Sequence, residues 1–111
     1  MSWRIVVLPQ ALDDIRRNSN WWATHHSLQQ AIRWVDAVEE QLAALAFLPE
    51  SYPVASESSR FPYEIREKLL GLGARPAHRA IFTIKGQAVY VLTVRHSAQR
   101  DLQPEDIPPI P

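Results

Sequence analysis

The segment from His78 to Val94, "HRAIFTIKGQAVYVLTV", limits the fold more than any other part of this chain. Two runs of seven residues, rich in apolar, β-branched and aromatic side chains, flank the tripeptide Lys-Gly-Gln. Such runs read as strands, and a short connection in which Gly86 can take positive φ joins them as an antiparallel hairpin.

What precedes the hairpin follows a different period. "WRIVVL", Trp3 to Leu8, reads as a first strand, and Pro9 ends it while being well suited to open a helix. From Gln10, the residues Leu12, Ile15 and Trp22 fall at helical spacing, with Asp13, Asp14, Arg16 and Arg17 mostly on the other side. This predicts a helix of about three turns ending near "ATHH". Ser27 followed by Gln30 is a capping-box pattern that starts a second helix. Its stripe of Leu28, Ala31, Ile32, Val35, Val38, Leu42 and Leu45 runs toward Leu48 and is stopped by Pro49. Two such helices joined by a short loop pair antiparallel, and their common apolar surface requires a sheet against it.

"PESYPVASESSRFP", Pro49 to Pro62, with three prolines and four serines, is a long irregular connection. "YEIREKLLGLG" then contains a strand punctuated by Gly71 and Gly73. From Asp101 the chain carries four prolines in eleven residues and is expected to be extended or frayed. The order strand, helix, helix, strand, strand, strand predicts an α+β fold with a three-stranded antiparallel meander and the helix pair packed on one face of the sheet. Residues 1–102 form one domain on this reading, and 103–111 form a proline-rich extended tail.

With 111 residues the chain is long enough to build a core without staples, and it has no cysteine for disulfides or thiol catalysis. The apolar run at the amino terminus is too short for a leader core or a membrane span, so the expectation is a whole, soluble, cytoplasmic chain. His25 and His26 lack ligand spacing and companions, which argues against a metal site, and nothing calls for a cofactor.

The net charge is zero but unevenly spread. Residues 1–59 carry four arginines against seven carboxylates, residues 60–100 carry eight cations against two carboxylates, and the last eleven residues add three carboxylates. A basic second half suits an acidic partner. With helices on one sheet face, strict alternation puts Arg79 and Lys85 of one strand, and Thr93 and Arg95 of the next, on a solvated opposite face. Arg66 or Lys68 from the preceding strand would join them, and such a cluster of like charges suits a carboxylate, a phosphate or an acidic protein surface. The alternative is a set of separate solubilising charges. His96 has the side chain best matched to proton transfer near neutrality, or it simply bonds a backbone carbonyl at a strand end. Of the adjacent pair Trp21 and Trp22, one belongs to the core and the other is a candidate contact.

The string "IREKLLGLGARPAHRAIFTIKGQAVYVLTVRHSAQRDL" resembles the carboxyl half of the RelE/ParE family of bacterial type II toxins. The shared elements are Arg66-Glu67, the His78-Arg79 strand start with histidine in place of the usual tyrosine, the glycine hairpin, and the strand that runs into Arg95-His96. The amino half agrees through its short strand, two helices and "LAFLPESYP", so the resemblance spans residues 3 to 102. It implies the same fold and a toxin neutralised by a cognate antitoxin, with Arg66, Lys68, Arg79, Lys85 and Arg95 as antitoxin-binding residues. One branch of the family resembles ribosome-dependent, metal-independent mRNA endonucleases, and would make Arg79 and Arg95 phosphate clamps and His96 the proton-transfer group. The other branch resembles poisons of DNA gyrase. Lys68 stands alone in its strand, no tyrosine follows His96, and the charge is neutral; these departures favour gyrase as target over the ribosome and mRNA. A non-toxic, degenerate member is the remaining alternative.

Overall fold

The computed structural model describes residues 2–111. Strand β1, Arg4–Val7, leads through Leu8 into helix α1, Pro9–His25, with Pro9 in the first turn as expected. At seventeen residues α1 is nearly five turns long and takes in Trp21, Trp22 and His25. Helix α2, Leu28–Ala43, is capped by Ser27, whose hydroxyl accepts from the Gln30 N–H at 3.1 Å. The regular helix gives way to a 3-10 turn at Ala44–Ala46, short of Pro49. Strands β2, Arg66–Leu70, β3, His78–Lys85, and β4, Ala88–His96, complete the α+β fold in the predicted order.

The sheet order is β1-β4-β3-β2. β2, β3 and β4 form the antiparallel meander, and β1 joins beside β4 in parallel, so the sheet is mixed and four-stranded. A parallel neighbour demands a crossover, which the helix pair supplies. Gly86 turns the β3–β4 hairpin at φ +63°.

The helix face holds the larger core: Ala11, Trp34, Val38, Leu42 and Leu45 pack on Leu70, Ala80, Phe82, Val89, Val91 and Val94. The other face is not solvated, contrary to the expectation from alternation. Ile81, Tyr90 and Leu92 are covered by Ala55, Phe61 and Ile65 from the long connection and by Leu102 and Ile107 from the tail. A sheet with apolar residues on both faces must be covered twice. The tail therefore lies against the sheet, with Leu102 fully buried and Ile107 nearly so.

A register shift explains a second departure. Ile81 pairs with Thr93 and Phe82 with Val91, which leaves Leu92 as an extra residue. This β-bulge breaks strict alternation along β4. Val89 and Val91 stay in the helix-side core together with Val94, while Arg95 comes into register with Arg79 on the opposite face.

Candidate functional site

Arg79 and Arg95 face each other across β3 and β4, as their types and positions suggested, but Arg79 is not a free cation. Its Nη1 donates to Glu57 Oε1 at 2.9 Å and its Nη2 donates to Glu57 Oε2, with Glu67 a further partner at 3.4 Å. The Glu57 side chain is completely buried, and it also accepts from the Leu102 N–H at 2.9 Å. One bidentate pair thus ties the long connection, β3 and the start of the tail together. The Arg79 guanidinium holds the Glu57 carboxyl at about 2, overcoming the burial that pushes it up, and the Leu102 N–H assists. In return Glu57 raises the pKa of Arg79.

The other basic candidates lie apart. Arg66 and Lys68 pair with Phe82 and Ala80, so they sit on the helix side of β2, away from Arg79 and Arg95. Arg66 donates to the Tyr52 carbonyl at 2.6 Å and to Glu64 at 2.8 Å. Lys68 donates to the Gln41 carbonyl at 2.7 Å, with its ammonium above the Tyr52 ring. Lys85 stands at the hairpin end of β3 and donates to the carbonyl of Pro111 at 3.0 Å.

His96 pairs with His78 and so points to the face opposite its neighbour Arg95. The two imidazoles meet edge to face at 5.1 Å. His96 Nδ1 accepts from the Ala98 N–H at 3.0 Å, which leaves the proton of the neutral ring on Nε2. His78 is buried, contacts Asn18 Oδ1 through Nε2 at 3.0 Å, and touches the edge of Trp34. Burial, and secondarily the nearby His96, lower the His78 pKa and keep it neutral.

β1 stops pairing at Val91, so the carboxyl-terminal half of β4, from Leu92 on, has an open edge that α1 flanks. There Asp14, placed by the helical pattern among the outward residues, is buried and accepts from Thr93 Oγ1 at 2.5 Å and from the Val94 N–H at 3.0 Å. Next to it lies an open cavity of about 540 Å³ that Arg17, Asn18, Trp21, Arg95, Gln99 and Asp106 line in part. Trp21 is the exposed member of the tryptophan pair, 47% accessible, and Trp22 packs toward the helix-side core. Sequence reasoning passed over Glu57, Asn18 and Asp14. Their partners lie 22, 60 and 79 residues away, and no local pattern announces such pairings.

Among the described residues no helix is long and apolar enough to cross a membrane. The family model for the ParE toxin of the type II toxin-antitoxin system, parDE, matches residues 5–101. Among solved structures the chain is similar to one from the chromosomal ParDE TA system of P. aeruginosa, with 19% identity, coverage of 86% of this chain and 96% of that one, and a TM-score of 0.72. That likeness concerns the fold. No curated protein matches. The family match runs from β1 through the turn that follows β4, over the same elements on which the sequence resemblance rests: the chain belongs to the ParE toxins of the RelE/ParE family.

Proposed function

We propose that this ParE-family toxin is neutralised by a cognate antitoxin and arrests growth by inhibiting DNA gyrase in the cytoplasm. A toxin of a type II system has an antitoxin partner, and the similar structure from P. aeruginosa is itself described as a ParDE TA system. Of the basic residues Arg66, Lys68, Arg79, Lys85 and Arg95, divided between the two faces of the sheet, Arg79 is held by Glu57 and would support the surface from within, while the others would meet an antitoxin segment that passes around the sheet.

The observation that carries the gyrase reading is the commitment of the would-be nuclease groups. A phosphate clamp needs free guanidinium donors, and Arg79 gives both of its terminal nitrogens to Glu57. A general acid or base must stand beside the clamp, and His96 is turned to the other face with Nδ1 already accepting a backbone N–H. A poison that acts by binding needs no such constellation.

The test is a gyrase supercoiling assay with the purified full chain, run beside a translating extract that contains a reporter mRNA. Loss of supercoiling, accumulation of cleaved DNA and intact mRNA are expected. Cleavage of mRNA that disappears in Arg79→Ala and His96→Ala, with gyrase unaffected, would replace this reading with the endonuclease. Unimpeded growth of bacteria expressing the soluble chain alone would end both.

A further inference from the structure

The open edge of β4 holds a cation whose bonding capacity the fold fills only in part. Arg95 is only 9% exposed, and its Nε is buried with no hydrogen-bond partner. Its Nη2 donates to the Arg100 carbonyl at 2.8 Å, and among the described residues it forms no ion pair. Its register partner is another arginine, Arg79. Arg79 is already neutralised by Glu57, and a guanidinium taken out of water with an unbonded Nε and no carboxylate in contact is costly.

Two carboxylates line the same cavity, yet both are already used. Asp14 accepts from Arg17, Thr93 and the Val94 N–H. Asp106 is chelated by Arg100 at 2.9 and 3.0 Å and accepts from the Gln103 N–H at 2.9 Å. The charged residues that line the cavity, Arg17 and Arg95 against Asp14 and Asp106, balance in number, but both carboxylates are held by other donors, so Arg95 is the cation left without a contact partner, and one incoming carboxylate suits it better than a doubly charged phosphate. Beside the arginine stands the half-exposed indole of Trp21, stacked on His25 at 4.6 Å, which offers apolar contact to whatever flanks the anion. A tryptophan and an arginine at the centre of a concave surface are the residue types that dominate protein association.

We infer that this cavity, walled by Arg95, Arg17 and Trp21, binds a carboxylate side chain carried by an acidic protein segment with an apolar residue next to it. The carboxylate meets the Arg95 guanidinium and the outer donors of Arg17, and the apolar neighbour packs on Trp21. The inference rests on the proposed function only in assigning the segment to the antitoxin; the pocket's chemistry stands without it.

The experiment is an NMR titration of the 15N-labelled full chain, following the Arg95 Nε–H and Trp21 indole resonances. The probes are acetyl-Leu-Glu-Leu-amide, the same peptide with Gln for Glu, inorganic phosphate and uridine monophosphate. The Glu peptide should give saturable shifts at both resonances, with affinity reduced about tenfold or more for the Gln peptide and for Arg95→Gln. Trp21→Ala, at a half-exposed position, should weaken the same binding. Absence of saturable shifts with the Glu peptide overturns the inference, as does tighter binding of phosphate or the nucleotide. Growth arrest in cells tests the toxin reading separately, so failure of one does not mimic failure of the other.

Discussion

Asp14 is the residue on which the packing of α1 against the sheet turns. β4 outruns β1, so its Val94 N–H faces outward with no strand to accept it, and an exposed edge of this kind invites unwanted pairing. Asp14 fills the position, and takes the Thr93 hydroxyl as well. Asp14→Ala should leave two buried donors unsatisfied and cost about 2–4 kcal/mol in urea unfolding. Asp14→Asn keeps an accepting oxygen and gives up chiefly the contact with the exposed Arg17, so its loss should stay below about 1.5 kcal/mol. Equal losses for the two variants would show that charge, and not the capping of the edge, is what matters. The helical pattern of α1 was legible, but not this inversion. Periodicity treats every carboxylate as outward, whereas half-exposed Leu12 and buried Asp14 have the opposite placement.

At the scale of elements, propensity and turn chemistry sufficed for both helices and all four strands, because each rests on local signals: Pro9, Ser27 with Gln30, the Gly86 hairpin. Two features needed the tertiary structure. Nothing in "AVYVLTV" marks Leu92 as an extra residue, since a bulge is fixed by how the pair must bend, and that single residue decided which face received Arg95. The covering of the second face was the other. Its sequence trace is faint: Ala55, Phe61 and Ile65 in an irregular connection, and Leu102, Ile107 and Ile110 scattered among prolines that read as an extended or frayed tail. Deleting Leu102–Pro111 should uncover Ile81, Tyr90 and Leu92 and remove the backbone donor to Glu57. The burial of Leu102 and Ile107 alone suggests a loss of about 3–5 kcal/mol, an upper range for area-based reasoning. Urea unfolding would read the loss, and increased binding of an apolar dye would show the bared face; unchanged stability would mean that the tail only rests on the sheet.

Over the whole molecule, the basic second half is less basic than its sequence. The acidic tail folds back on it through Arg60–Asp101 and Arg100–Asp106, and Glu57 from the acidic half is buried against Arg79. Charges far apart in the chain thus neutralise each other in the fold, and pH should act on these contacts in sequence. His78 has a folded pKa below its ordinary 6.5, so the stability gained from keeping it neutral is complete above that value and declines as pH falls through it. Glu57 has a folded pKa of about 2 against an ordinary 4.5, so its contribution is complete above 4.5 and is lost between 4.5 and about 2. That second loss amounts to at most about 3 kcal/mol. Urea midpoints measured from pH 8 to pH 2 should therefore fall in two stages. His78→Gln should remove the first stage. Glu57→Gln should be less stable at pH 7, because Arg79 loses its bidentate counter-charge and keeps only Glu67 at 3.4 Å, and should lack the second stage. A Glu57→Gln profile that runs parallel to that of the unaltered protein between pH 4.5 and 2 would show that the acid sensitivity resides in other carboxylates, and that the Glu57–Arg79 pair does not hold connection, strand and tail together.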